Sequence, residues 1–337
     1  MIAPHNIETC ADSTRKGLYE SFYFRGNSED GSYSFWLKHN LLLYKGSDEV
    51  VIESIFIDFD KASDNAKTYK LIEAVPLAKF LELKKECAGD WKKFNFTFNN
   101  GSFYKISDKK LEGEITTDSG KVSWNLDVNY DGGTYYHFSK DWFYTGFFPK
   151  KKILTNAIFM HFNGQVNIEG RTVNNKFIGM NGHNWGTEHA YKYSYANCNQ
   201  FKEDSSAYFD GFSAKIVLGK VIKSPFLSGC SVKAHGNWYH FNDVLSSFKP
   251  DVLDLEQKSW KAIFKSSDCE MSVKIDGNKK QWGHLVYDHP SRKKSLVHNT
   301  KFAKGEIQIK FFDGRDPIFL NSDNFELETL IPEITPD

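Results

Sequence analysis

Residues 93–106 read KFNFTFNNGSFYKI, and this stretch decides the fold class. Phe94, Phe96 and Phe98 alternate with polar residues, which is the period of a strand with one buried face. Asn100-Gly101 is a preferred pair for a two-residue turn, and a second strand-like run follows it. The stretch therefore predicts a β-hairpin.

The same alternation recurs in other parts of the chain. It is clearest at these apolar positions: Val122, Trp124, Leu126, Val128, Val166, Ile168, Phe325 and Leu327. Asp276-Gly277 and Asp313-Gly314 indicate further turns, whereas helical periodicity is weak and is best over residues 76–87. The chain also contains 29 Phe, 16 Tyr and 24 Gly, a composition typical of strands and turns. These patterns predict an all-β fold built from sandwiches or barrels.

A chain of 337 residues is long enough for two domains. Strand-rich stretches lie on both sides of Phe147-Phe148-Pro149-Lys150. We therefore expect two β-barrel-like halves, residues 1–160 and 161–337, which meet near residue 160.

The charge balance and the apolar runs exclude several classes of protein. Lys plus Arg equals Asp plus Glu at 43 each, so no basic excess favours nucleic acid as a partner. The one basic block, Lys150-Lys151-Lys152, is expected to be a solvated loop. No apolar run approaches the roughly 20 residues of a membrane-spanning helix, which leaves only peripheral membrane contact. Residues 1–15 do not resemble a signal peptide, and five cysteines without paired metal spacing suit a reducing cytoplasm.

The most unusual stretch, residues 182–201, reads GHNWGTEHAYKYSYANCNQF. Read as a strand, it places five polar or aromatic side chains on one face: Tyr191, Tyr193, Tyr195, Asn197 and Asn199. Neither face is aliphatic, so the strand is unlike an ordinary core strand. Tyr hydroxyls and Asn amides among aromatic rings suit a pocket that holds a large apolar molecule at a few polar points. The alternative is a buried polar network that fixes the interface between two sheets.

A second candidate lies near the N-terminus, where Glu20 shares a strand face with Phe22 and Phe24. A carboxyl group among aromatic rings is costly unless it is paired or protonated. A protonated Glu20 could act as an acid near neutral pH. The alternative is a buried ion pair with Arg25 or Arg171.

These two stretches together resemble the tocopherol cyclases. In those proteins an Asn-Trp-Gly is followed by two Trp, then by Gln-Cys-Asn and a Phe. The matching positions here are Asn184, Trp185, Gly186, Tyr193, Tyr195, Asn197, Cys198, Asn199 and Phe201. The run from His183 to Gly186 is also similar to the Asp-His-Asn-Trp-Gly of carotenoid hydratases (hydroxyneurosporene synthases). Residues 20–24 resemble the Glu-Gly-Trp-Tyr-Phe near the start of the cyclases, and lipocalin-like Diels–Alderases show a related architecture.

The resemblance implies two lipocalin-like β-barrel domains side by side, with a lipophilic pocket between or within them. It implies a cofactor-independent cyclase, isomerase or hydratase for a polyene, terpenoid or prenylated substrate, as in natural product biosynthesis. The rival hypothesis is a non-catalytic lipocalin-like carrier of a hydrophobic small molecule. A third is a structural β protein whose cavity is filled by side chains.

One position departs from the hydratase motif, because Gly182 stands where those enzymes have Asp. The catalytic acid would then be Glu188, Glu20 or His183. The residues expected to bind substrate are Asn184, Trp185, His189, Tyr191, Tyr193, Tyr195, Asn197 and Asn199. The spacing of His183, Glu188 and His189 matches no established zinc motif, so no metal is expected.

Overall fold

The computed structural model describes residues 3–146, 148–218, 222–242, 258–277 and 280–332. Strands dominate these ranges, with two α-helices, α1 (Leu77–Glu86) and α2 (Trp142–Thr145). The all-β prediction is confirmed, and α1 matches the helical stretch predicted at residues 76–87. Phe147, part of the predicted junction, lies outside the described residues. Over these ranges, neither helix has the length and hydrophobicity of a membrane span. All five cysteines are free thiols.

The first sheet contains eleven strands and runs antiparallel throughout. The strands are β1 (Leu18–Ser28), β2 (Tyr33–Leu43), β3 (Glu49–Asp60), β4 (Lys67–Pro76), β5 (Phe96–Thr97), β6 (Phe103–Ile106), β7 (Lys110–Thr117), β8 (Gly120–Asp131), β9 (Tyr135–Tyr136), β10 (Lys151–Ile168) and β11 (Arg171–Gly186). Their spatial order is β4-β3-β2-β1-β11-β10-β8-β7-β6-β5, with β9 beside β10. The predicted hairpin is formed by β5 and β6, and Gly101 in its turn has a φ of 85°.

The second sheet contains nine strands in the part of the chain that the structure describes. The strands are β12 (Lys192–Cys198), β13 (Tyr208–Lys215), β16 (Leu227–Ala234), β17 (Asn237–Phe241), β18 (Ser259–Lys265), β19 (Cys269–Asp276), β20 (Gly283–Asp288), β21 (Lys294–Phe311) and β22 (Ile318–Pro332). Their order is β17-β16-β13-β12-β22-β21-β19-β18, with β20 beside β21. A separate two-stranded ribbon joins β14 (Val217–Leu218) and β15 (Ile222–Lys223).

The predicted junction near residue 160 does not coincide with the change of sheet. Residue 160 lies inside β10, and β10 and β11 form a long hairpin of the first sheet. The chain passes to the second sheet between Gly186 and Lys192. Strand density on both sides of Pro149 gave no sign of this, because a hairpin within one sheet has the same local pattern as two neighbouring domains.

Each sheet curls around its own apolar core. The alternating residues predicted on β8 are all buried: Val122, Trp124, Leu126 and Val128. Phe22 and Phe24 face the same core from β1, and Phe80 joins it from α1. A void of only about 10 Å³ lies beside Phe22 and Trp91, enough for roughly one water molecule. The interior of the first sheet is therefore filled by side chains.

The outer faces of the two sheets pack against each other. Because side chains alternate along a strand, Tyr23 and Arg25 point away from the first core and toward the second sheet. The β1–β2 register pairs them with Lys38 and Trp36, so these four side chains share the outer face. Tyr23 and Trp36 join Tyr193, Tyr195 and Tyr287 of the second sheet in one cluster. The interface between the sheets is thus aromatic and also carries charge.

Candidate active site

A cavity of about 1320 Å³ lies between the two sheets. This volume exceeds that of most pockets for drug-sized ligands. Ten aromatic side chains in the described ranges contribute to its wall, and they come from both sheets and from the segments that join β9 to β10 and β11 to β12. They belong to Tyr23, Trp36, Phe138, Phe143, Phe148, Tyr191, Tyr193, Tyr195, Phe212 and Tyr287.

The stretch predicted to form a pocket divides into two parts. Tyr191, Tyr193 and Tyr195 line the cavity, while Ala196 and Cys198 point into the second core. Asn197 and Asn199 lie on the tyrosine face but are not part of the cavity wall; their side-chain oxygens accept hydrogen bonds from Arg25 Nη2 at 2.7 and 2.9 Å. The three tyrosines are thus at the cavity, and the two asparagines belong to a buried polar network between the sheets; that the stretch binds a substrate stays a prediction.

The fully buried Arg25 connects the two sheets. It lies on β1, and besides the two asparagines of the second sheet it donates to Asn27 Oδ1 at 2.8 Å. Its Nε is 3.6 Å from Glu326 Oε2 on β22. Lys301 Nζ is 2.5 Å from Glu326 Oε1, which completes a buried ionic network beside the cavity.

Two lysines and one glutamate form a charged cluster in the cavity wall. Lys38 is 3% exposed, and its Nζ lies 3.8 Å from the ring centroid of Tyr287. Lys151 Nζ lies 4.2 Å from the ring centroid of Tyr193. Burial lowers the pKa of Lys38 to about 7 and that of Lys151 to about 8. Lys38 therefore titrates near neutral pH.

Glu328 is the carboxylate of this cluster. It accepts hydrogen bonds from the Tyr193 hydroxyl, from the Tyr287 hydroxyl at 3.3 Å and from Asn299 Nδ2 at 2.9 Å. Burial raises the pKa of Glu328, but the nearby Lys38 ammonium and the hydrogen bond from Tyr193 outweigh it. The pKa is left below its ordinary value. Glu328 is therefore ionised at neutral pH.

A histidine–aspartate pair lies in another part of the wall. His137 Nε2 is 2.9 Å from Asp210 Oδ1, and both side chains are buried. Burial raises the pKa of Asp210, but His137 and the hydrogen bonds from Tyr208 and Thr155 hold it below the usual value. An ionised Asp210 can only accept, so His137 Nε2 carries the hydrogen. Nδ1 of His137, a cavity-lining residue, has no hydrogen-bond partner in the described structure.

The sequence did not single out either member of this pair. His137 lies in a loop outside any motif, and its partner is 73 positions away. Asp210 offers the one available signal, because it interrupts an aromatic strand, Tyr208-Phe209-Asp210-Gly211-Phe212. A carboxylate in such a strand requires a buried partner.

Glu20 and His183 lie apart from the cavity and bind each other. Their Oε1 and Nε2 atoms are 3.0 Å apart, and both residues are buried within the first sheet. Glu20 also accepts from the backbone N–H groups of Glu8 and Thr9. The β1–β11 register pairs Phe22 with His183, which brings the imidazole to the face that carries Glu20. The partner of Glu20 is thus His183 and neither of the two arginines suggested by the sequence.

The remaining predicted residues are spread over the cavity and its surroundings. Asn184 and His189 line the cavity, and His189 stacks on Tyr19 with ring centroids 3.8 Å apart. Trp185 instead packs against Tyr144 and Leu154. Glu188 is 47% exposed at the opening, with its Oε2 2.9 Å from Lys150 Nζ. Within the described ranges, no group of three or more potential ligands is placed to hold a metal ion.

The structure also explains why residue 182 is glycine. A Cβ atom at this position would lie 2.2 Å from Cζ of Tyr23. The Tyr23 ring, part of the cavity wall, therefore occupies the space that an aspartate side chain would need. Any acid that acts in this cavity must come from another position.

This architecture defines a class of protein: the chain has an all-β, two-domain lipocalin-like fold with a large cavity between the two sheets. A solved structure with the same fold is that of a candidate AttH protein from Nitrosomonas europaea. The two are 11% identical, the match covers 98% of this chain and 99% of that chain, and the TM-score is 0.55. The resemblance noted in the sequence is confirmed at the level of the fold.

Two further solved structures are similar at lower scores. CghA with Sch210972 matches at 8% identity over 94% of this chain and 89% of that chain, with a TM-score of 0.49. Kievitone hydratase from Nectria haematococca matches at 8% identity over 98% and 94%, also with a TM-score of 0.49. No protein-family model and no curated protein matches the chain.

Proposed function

We propose that this protein is a cofactor-independent enzyme that cyclises, isomerises or hydrates a lipophilic polyene, terpenoid or prenylated substrate. The substrate would bind in the cavity between the sheets. The observation that carries the proposal is the combination of an aromatic wall with ionisable groups placed in it, His137 with Asp210 and Lys38 with Glu328.

The aromatic wall would hold an apolar chain in a folded conformation. Bringing the reacting atoms of one flexible molecule together is a large part of the barrier to cyclisation, and a shaped cavity removes this entropic cost. Tyr23 lines the same wall and carries a hydroxyl that can donate to a carbonyl oxygen, whereas the hydroxyl of Tyr195 already donates to Asp210 Oδ2 at 3.3 Å.

His137 would transfer the proton. With Nε2–H held by the ionised Asp210, Nδ1 is the ring nitrogen left to accept a proton and to return it later. Nδ1 is buried in this structure, so the bound substrate would have to displace the ring or its neighbours slightly to reach it. In this arrangement Asp210 is a positioning residue, because it fixes the tautomer and orientation of the imidazole without touching the substrate.

The buried charges favour an enzyme over a carrier. A carrier of a lipophilic molecule needs only an apolar lining, whereas each buried ionisable group costs free energy. Perturbed titratable groups in a cleft are a mark of functional sites. Lys38, which lines the cavity with its pKa lowered to about 7, fits that description.

The proposal is tested by incubating the protein with polyenes, prenyl-quinols and terpenoids and analysing the products by liquid chromatography and mass spectrometry. We expect at least one compound to be converted to an isomer or a hydrate without any added cofactor. Heat-denatured protein is the control. Binding of several compounds without conversion would support the carrier, and failure of all of them to bind would support the structural alternative.

A further inference from the structure

We infer that the substrate carries an acidic group, a carboxylate or an acidic enol, which binds as an anion between Lys38 and Lys151. This inference names the class of substrate for the proposed function. It rests on that function only because it concerns the same cavity. The experiment below measures binding, so it does not depend on turnover.

When Lys38 is protonated, its ammonium group has no carboxylate of its own to pair with. Lys38 and Lys151 both line the cavity and lie near the carboxylate of Glu328. Glu53 also lies near Lys38, but it is already paired with Lys70, whose Nζ is 2.9 Å from Glu53 Oε1. The oxygens of Glu328 already accept from three other groups. The contacts of the Lys38 amine in the described structure are with aromatic rings, Tyr287 at 3.8 Å and Trp36 at 5.1 Å. A ring face is a weaker partner than an anion in a desolvated site.

The opening of the cavity is basic. Five exposed cationic residues line it: Lys150, Lys223, Arg292, Lys293 and Lys294. Glu188 is the one exposed acidic residue in the described lining, and it is already paired with Lys150. Since the whole chain carries 43 basic and 43 acidic residues, this excess is local. Such a field raises the local concentration of an anionic ligand and speeds its entry.

Binding of an anion must also change the protonation of Lys38. In the free protein the pKa of Lys38 is about 7, so at pH 7.5 much of this amine is neutral. An anion beside it favours the charged form and raises the pKa. The complex therefore takes up protons from the buffer, and a neutral ligand of the same shape does not cause this uptake.

All-trans-retinoic acid and all-trans-retinol are a matched pair of probes, because they share a polyene and differ in the end group. Calorimetric titrations at pH 7.5 in Tris and in phosphate give both affinity and proton uptake. We expect the acid to bind at least about tenfold more tightly than the alcohol, with uptake for the acid only. In Lys38→Met, the preference should fall, and the uptake should shrink to the smaller share that Lys151, with its pKa of about 8, can contribute. Lys304→Met, an exposed lysine outside the cavity wall, should behave as wild type.

Several outcomes would overturn the inference. Equal affinities of wild type for the two retinoids would reject the acidic group and leave the proposed function intact. Tight binding of the acid without proton uptake would place its carboxylate away from Lys38. If Lys38→Met does not fold, two other results test the inference. They are the proton uptake by wild type on binding the acid, and the loss of the preference for the acid over the alcohol in Lys151→Met. Failure of both retinoids to bind wild type would count against the acidic group and against the lipophilic cavity itself.

Discussion

Replacing His137 by Gln is expected to lower turnover by about 10²–10⁴-fold on the substrate found in the panel, with binding retained. Glutamine keeps the approximate size of the side chain but cannot exchange a proton near neutral pH. Asp210→Asn should also lower turnover, because an amide no longer fixes the Nε2–H tautomer of His137. Rates are measured at saturating substrate, and binding is measured separately by calorimetry.

His161→Gln is the matched control, since His161 is exposed on β10. It should retain the wild-type rate. Glu188→Gln tests the hypothesis drawn from the sequence, in which Glu188 and not His137 transfers the proton. If Glu188→Gln loses turnover while His137→Gln does not, the proton is transferred at the opening and the His137–Asp210 pair is structural.

Arg25→Met is expected to lower the free energy of unfolding by about 3–5 kcal/mol, as for other broken buried ion pairs. Methionine fills a similar volume but leaves Glu326 with Lys301 alone. It also removes the donor to Asn197 and Asn199 across the interface. The amide oxygens then stay buried without a partner, which adds to the cost. Urea titration followed by tryptophan fluorescence measures the change.

Arg315→Met is the control for removal of an arginine. Arg315 pairs with Asp313 and both side chains are exposed, so its loss should cost no more than about 1 kcal/mol. A change for Arg25→Met as small as that for Arg315→Met would show that the network does not hold the two sheets together.

The fold was predictable because its signals are local. The alternation on β8 and the Asn100-Gly101 turn each depend on residues close in sequence, and both appear in the structure. The parity of Tyr193 and Tyr195 likewise placed them together on the cavity wall. A strand pattern indicates which side chains share a face, so the common position of these two tyrosines could be predicted from the sequence.

The features of the site that the sequence did not predict depend on contacts between residues far apart in the chain. The sequence suggests two alternatives for Glu20, a protonated acid or an ion pair with Arg25 or Arg171, yet its partner is His183, which is 163 residues away in sequence. The block Lys150-Lys151-Lys152 was expected to be a solvated loop. Instead, Lys151 and Lys152 begin β10, and Lys151 lines the cavity. Charge alone predicted solvent exposure, because nothing local shows that Glu328 will lie across the interface.

The ligand is proposed to bind between the two sheets and not inside the core of the first sheet. Photoaffinity labelling with a neutral farnesyl benzophenone, followed by peptide mapping, locates the bound ligand. We expect adducts on the peptides that contain Trp36, Tyr193 or Tyr287, which line the cavity. Adducts confined to the peptides of Trp91 or Phe94, beside the small void in the first core, would contradict it.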